Sequence, residues 1–361
     1  MQGSYIRHRL NFSFKASTSR GVLEEKLVYI IKITDSDDRL CGLGECAPLA
    51  GLSIDDLDTI EEKLKVCMEQ LAEKALPETP VEVYRLSEEL AGRTYPALRF
   101  GFEMALLDLL HGGMRILFRN SFYLAQAQIP INGLIWMGSE REMLNQGKEK
   151  IDAGFRCIKM KVGAIDFDTE LRVLETLRSG FEEADLILRV DANGAFPADD
   201  ALDYLKKLAP LDIHSIEQPI KPGNEIEMAR LCRNTPVPVA LDEELIGRSA
   251  DKRKLLSSIR PQYIVLKPTL LGGFMETLEW ITLANDMNIG WWITSALESN
   301  VGLNAIAQFT FEVDNGMVHG LGTGGLYTNN IASPLKIVEG NLVYLDKNRW
   351  NYSVLGDFLT G

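Results

Sequence analysis

Five ionisable side chains recur at nearly even spacing in the second half of this chain. Lys161, Asp191, Glu217, Asp242 and Lys267 follow one another at intervals of 25 to 30 residues, and each closes a short apolar run (158–161, 187–191, 213–217, 239–242 and 264–267). Charged residues at the same place in five consecutive units predict convergence on one pocket. Three carboxylates in a shared cavity repel one another unless protons or a cation compensate. An all-oxygen donor set without His or Cys suits a hard divalent ion, and few protein ligands leave positions for water and substrate. That combination favours Mg²⁺, with Mn²⁺ as a substitute. Solvated carboxylates around a rim are the plainer alternative. Lys159 lies two residues before Lys161, so in a strand both face one side. An ammonium near other ammonium groups and a metal is expected to have a lowered pKa, which makes a lysine usable as a base near neutral pH. Ion pairing with the carboxylates competes with that reading, for Lys159 most of all. Schiff-base chemistry is a rival for such a lysine, but it needs no carboxylate triad. Asn193 is placed to hydrogen-bond a substrate or a metal-bound water, or simply to form an Asn193-Gly194 turn. Glu243, beside Asp242, is read as orienting a lysine or a ligand.

The elements that must position these groups alternate. β-rich runs begin near Ile129, Cys157, Ile187, Ile213, Pro238, Tyr263, Gly290 and Met317, with amphipathic stretches between them at 168–181, 199–208, 224–232 and 275–285. Repeated short strand–helix units favour a parallel sheet, and eight strands close a (β/α)8 barrel with its active site at the strands' C-terminal ends. No GxGxxG follows a strand, which argues against a doubly wound sheet. Residues 1–125 read as an α+β capping domain. It holds an alternating strand from Ile6 to Lys15, strands at 27–33 and 40–45, a helix opening at Ser53 with Ile54, Leu57, Ile60, Leu64, Met68 and Leu71 on one face, and a second helix at 96–110. Residues 126–325 then form the barrel. Residues 326–361, with a short strand at 342–345, are expected to return to the capping domain. The predicted class is α/β.

Composition narrows the function. The chain has 361 residues, is 46% hydrophobic and 25% charged, and carries a formal net charge of −13. An acidic chain with no basic patch is a poor partner for nucleic acid. No apolar run approaches the ~18 residues of a membrane span, and the start lacks the apolar block of a signal peptide. Five cysteines, an odd number without a CxxC pair, predict reduced thiols in a cytoplasmic protein. His8, His111, His214 and His319 show no metal-ligand spacing and are read as structural. Nothing in the sequence sets the oligomeric state.

The sets Lys159-Met160-Lys161, Asp191-Ala192-Asn193, Glu217-Gln218-Pro219, Asp242-Glu243 and Lys267-Pro268 together resemble the muconate-lactonising-enzyme subgroup of the enolase superfamily. Gly42 to Pro48 looks like that family's capping element, and Ser53 sits where its mobile loop approaches the site. The resemblance implies that Asp191, Glu217 and Asp242 hold Mg²⁺. It makes Lys161 the base that removes a proton α to a carboxylate, with Lys267 on the opposite face and Lys159 assisting, and it leaves stabilisation of the enediolate to the metal. Several further stretches look most like the o-succinylbenzoate synthase family: Gly44 to Leu49, Arg99 to Glu103, Ile131 to Gly138, and Ser295-Ala296-Leu297-Glu298-Ser299. This implies a hydro-lyase acting on a small carboxylate of menaquinone biosynthesis. The alternative is a racemase of N-acyl amino acids or another cycloisomerase or epimerase of the subgroup. Dipeptide epimerases carry Asp-x-Asp where this chain has Gly320-Leu321-Gly322-Thr323, which argues against them. Thr294, Ser295, Glu298 and Gly322 are the candidates for holding the substrate's carboxylate or succinyl arm or for supporting those that do.

Overall fold

The computed structural model describes residues 1–18, 21–345 and 349–359. Its first third is a three-stranded antiparallel sheet of β1 (Gln2–Thr18), β2 (Gly21–Thr34) and β3 (Cys41–Cys46), backed by helices α1 (Ile60–Ala72), α2 (Pro80–Ala91) and α3 (Pro96–Leu110). The helix expected from Ser53 starts seven residues later. Ile54 and Leu57 are exposed, and the Ser53 hydroxyl accepts from the Leu49 amide, holding a turn in place of a helix cap. Helix α2 was not anticipated, although Thr79 caps it and Pro80 opens it. Helix α3 lies directly on β3: a Cβ on Gly44 would collide with the Gly101 carbonyl. That close approach accounts for the glycines of the 42–48 stretch.

The remainder winds into a barrel. The parallel sheet runs in the order β11 (Gly290–Ile293), β10 (Tyr263–Leu266), β9 (Val239–Leu241), β8 (Ile213–Glu217), β7 (Ile187–Asp191), β6 (Cys157–Lys161) and β5 (Gly133–Ile135). Between these strands lie α4 (Glu140–Asp152), α5 (Phe167–Ser179), α6 (Ala201–Leu208), α7 (Glu225–Asn234), α8 (Lys252–Ile259), α9 (Pro268–Leu271) and α10 (Phe274–Asp286), and α11 (Asn300–Glu312) follows β11. The sequence placed an eighth strand at Met317. Among the described residues that segment forms only isolated bridges, His319 to Ile131 and Gly320 to Thr294, yet these join β11 to the chain just ahead of β5 and close the ring. The run at Ile129 also divides. Its β4 (Gln128–Pro130) leaves the barrel to pair with β13 (Asn341–Tyr344), itself paired with β12 (Leu335–Val338). The barrel strand proper starts at Gly133. Of the C-terminal stretch, Tyr327, Ile331 and Leu355 pack with Leu10, Phe12 and Val28 of the first sheet, whereas β12 and β13 stay with β4. Among the described residues no helix is long and apolar enough to cross a membrane.

Strand alternation sorts the barrel residues. Ile158, Met160, Leu188, Val190 and Ile216 join the main core with the surrounding helices. Their neighbours line the lumen, where Ala240, Val265 and Trp292 form a separate apolar layer. The register then stacks Lys161 beside Asp191, and Asp191 beside Glu217.

Candidate active site

The strand-end residues meet as a chain of alternating charge. Lys161 Nζ donates to Asp191 Oδ2 at 2.5 Å and to Asn193 Oδ1 at 2.8 Å. Lys159 Nζ lies 2.8 Å from Asp191 Oδ2 and 2.6 Å from Glu217 Oε2. Lys267 Nζ pairs with Asp242 Oδ2 and stands 4.0 Å from Glu217 Oε1. All six side chains are nearly buried. In a ring of eight members β6 and β10 are four places apart, so Lys161 and Lys267 approach from opposite sides.

Electrostatics separates the three lysines. Burial lowers the pKa of Lys161, and the nearby ammoniums of Lys159 and Lys267 push the same way against Asp191 and Glu217; the result is a pKa below the usual lysine value. Burial also opposes the charges of Lys159 and Lys267, but the carboxylates facing them prevail and both pKa values rise. The expectation of a lowered pKa therefore holds for Lys161 and is corrected for Lys159, held between Asp191 and Glu217, and for Lys267, paired with Asp242. Burial raises Glu217 to about 8, helped by Asp191 and Asp242. For Asp191 burial is outweighed by three ammoniums, which hold its carboxyl well below the ordinary range, and Lys267 does the same to a smaller degree for Asp242.

Among the described residues no three His, Cys, Asp or Glu side chains are gathered into a metal cage. The reason is visible: ammoniums stand between the carboxylates, Lys159 between Asp191 and Glu217 and Lys267 between Glu217 and Asp242. One buried oxygen, Glu217 Oε1, has no hydrogen-bond partner. A buried carboxyl oxygen without a donor, in an all-oxygen set on three adjoining strands, fits a hard divalent cation, whose charge would favour the ionised form.

A cavity of about 380 Å³ opens in front of this chain. Lys159, Lys161 and Lys267 face it, and the carboxylates lie behind them. Its other walls are the Gly21–Leu23 tip of the β1–β2 hairpin, the Leu49–Leu52 turn, Trp136, and the segments at 294–297 and 320–323. Thr294, Ser295 and Gly322 are thus on the wall as expected. Thr294 Oγ1 donates to the Gly320 carbonyl (2.9 Å), and a Cβ at Gly320 would strike that hydroxyl. Ser295 Oγ donates to Glu298 Oε2 at 2.5 Å and lies 2.8 Å from Thr323 Oγ1. Glu298 is fully buried, and its oxygens accept from Thr269 Oγ1, Ser295 Oγ and the Ala296 amide, so it holds the wall from behind. Asn193 accepts from Lys161 and donates to Glu243 Oε1 at 3.0 Å, both ends of its amide being used. Its φ of 45° followed by 77° at Gly194 is the left-handed pair the Asn-Gly sequence suggested. Ser53 lies just outside the cavity, bracing the turn that lines it.

Sequence reasoning missed the groups that join cap to barrel. Glu45 on β3 accepts from Ser299 N (2.8 Å), Ser299 Oγ (2.5 Å) and Gly302 N (2.8 Å), capping α11. Glu103 on α3 accepts from Phe274 N at 2.6 Å, at the start of α10. Both carboxylates lie in stretches singled out above, and the signal was a charged residue in an otherwise apolar setting.

The enolase C-terminal domain-like family matches residues 142–347, more than half of the chain. An o-succinylbenzoate synthase from Desulfotalea psychrophila is 44% identical over 95% of this chain and 98% of its own length. The crystal structure of MenC from the same organism overlays with a TM-score of 0.85 at 41% identity, covering 95% of this chain and 99% of that one. An N-succinylamino acid racemase from Thermus thermophilus is 30% identical over 81% of this chain and 77% of its own. The chain belongs to the enolase superfamily, and its fold is the modified (β/α)8 barrel with a capping domain.

Proposed function

We propose that this chain is a carbon–oxygen lyase that dehydrates 2-succinyl-6-hydroxy-2,4-cyclohexadiene-1-carboxylate to 2-succinylbenzoate in menaquinone biosynthesis. The observation that carries the chemistry is the Lys161–Asp191–Lys159–Glu217–Lys267–Asp242 chain at the cavity wall, and the 44% identical synthase supports the particular substrate. Lys161, the lysine with the lowered pKa, takes the proton α to the ring carboxylate, and the electrons of that C–H bond move onto the carboxylate. Lys267 keeps its proton and presents a fixed positive charge on the far side of the ring. The protonated Lys161 then gives its proton to the departing hydroxyl. The C–O bond breaks, water leaves and the ring becomes aromatic. Lys159 stays charged between Asp191 and Glu217 and supports the lowered pKa of Lys161.

Superfamily membership carries dependence on a divalent metal; in this chain we assign it as Mg²⁺, with Mn²⁺ as a substitute, held by Asp191, Glu217 and Asp242. Bound there, the ion supplies positive charge to the substrate carboxylate as it gains electrons. Thr294, Ser295 and Gly322 take the substrate's polar arm, while Glu298, Asn193, Glu243 and Ser53 hold those groups in place. Residues 1–125 act as the cap, 126–325 as the barrel and 326–361 as the returning segment. Five free thiols, four of them buried, support a cytoplasmic setting; the net charge of −13 argues against nucleic acid as partner, and the three lysines facing the cavity support a small carboxylate. A second activity, racemisation of N-succinyl amino acids, is favoured by the two opposed lysines and by the 30% identical racemase. Purified protein with Mg²⁺ and the cyclohexadiene acid is expected to consume the diene absorbance with equimolar 2-succinylbenzoate formed. No turnover, with α-deuterium exchange into N-succinyl amino acids, would replace the lyase by the racemase.

A further inference from the structure

Lys26 is a buried cation that the chemistry above does not use. It sits on β2, three residues beyond the hairpin tip at Gly21–Leu23 that forms one wall of the cavity. Its side chain is 5% exposed, and Nζ donates to the Ala296 carbonyl at 2.6 Å. Ala296 belongs to the 294–297 segment, another wall of the same cavity, supplied by the barrel and not by the cap. The carboxylates whose charges act most strongly on Lys26 are Glu298 and Glu45. Each is itself pinned: Glu298 by Ser295, Thr269 and the Ala296 amide, and Glu45 by the first turn of α11. A buried ammonium that donates to a fixed carbonyl, in the field of two fixed carboxylates, is held in place. Without it, the Ala296 carbonyl loses its buried donor and the two carboxylates lose a nearby positive charge.

We propose that Lys26 is a positioning residue that ties the cap hairpin to the 294–297 wall and so fixes the width of the cavity between those two walls. This rests on reading the cavity as the substrate site. The tie crosses from cap to barrel through a single ammonium, so its loss uncouples the two walls from each other. The catalytic lysines stand on other strands and keep their partners. The chemical step is therefore spared, and substrate capture suffers.

The test compares Lys26→Met, which keeps length and removes the charge, with Lys26→Gln, which keeps a donor. An exposed control on the same strand is Glu25→Gln. Lys26→Met is expected to raise KM about 10-fold with kcat within about 3-fold of wild type, as loss of one charge-assisted hydrogen bond implies. Lys26→Gln is expected to fall between, and Glu25→Gln to match wild type. Amide hydrogen exchange is expected to quicken at 21–28 and 294–299 and nowhere else. An unchanged KM in Lys26→Met, a fall confined to kcat, or exchange that quickens throughout the molecule would each overturn the proposal. The exchange measurement needs no turnover. If wild-type protein proves inactive on the cyclohexadiene acid, the functional reading fails while the tie is still decided by the pattern of exchange.

Discussion

The two ends of the barrel lumen are built from the same strands yet have opposite characters. On β7, Arg189 and Asp191 are two residues apart and share the inward face. At the mouth, Asp191 meets the ammoniums of Lys159 and Lys161, and a cavity opens in front of them. At the floor, Arg189 lies with its guanidinium 4.1 Å from the Trp292 ring centroid and donates to the Val318 carbonyl at 2.8 Å. Both positions are buried and charged. The mouth balances charge with charge at the wall of a cavity. The floor balances it with a π face and a backbone carbonyl that do not move. A charge in this barrel thus borders a cavity at one end and is packed away at the other, and its partners differ accordingly.

Removing the base tests the mouth most severely. Lys161→Ala is expected to lower kcat about 10³-fold, measured by loss of diene absorbance. Unfolding in urea should stay within about 1 kcal/mol of wild type, since Lys159 remains to neutralise Asp191. Dialysis against a chelator should reduce turnover at least ~100-fold. Added Mg²⁺ should restore it and raise the thermal midpoint in a saturable way. A chelator-resistant enzyme would mean the alternating charges work alone.

The floor should respond the other way. Arg189→Leu is expected to cost about 2 kcal/mol in urea unfolding, from the lost stacking and the stranded carbonyl, with kcat changed less than about 3-fold. A large kcat loss without destabilisation would erase the distinction between the two ends. The smallest effect concerns His214, whose ring lies 5.0 Å from that of Tyr263. Burial, with Arg189 adding to it, lowers its pKa from 6.5 to about 4. The unfolded chain takes up a proton near pH 6.5 that the folded protein refuses until about pH 4. Stability from this group is therefore full above that window and declines as pH falls through it. His214→Gln should flatten the acid limb of a stability–pH curve between those values and leave the neutral plateau in place.

Much of the mouth was legible beforehand because strand periodicity and a repeating unit length constrain it together. A residue that ends every apolar run must sit at the same height in a barrel. The same logic failed at Met317, where two bridges at His319 and Gly320 do the work of a strand, too short a contact to leave an alternating pattern. It failed at Ile129 as well, since the short Gln128–Pro130 run pairs with β13 and not with the barrel. At Ser53 a good capping residue was spent on a turn, and the apolar face began only at Ile60. Neither Arg189 nor Lys26 was singled out in the sequence, because a ring or a carbonyl brought from a distant segment decides the role of each.

What the sequence determined by itself is the set of charged groups, their common height and the strand-and-helix rhythm that delivers them, because these follow from local geometry repeated along the chain. Which charges face a cavity, which face a ring, and which tie the cap to the barrel was decided only in three dimensions. Those outcomes depend on contacts between residues as far apart as Lys26 and Ala296, or Glu45 and Ser299, and on burial that no single segment can create for itself.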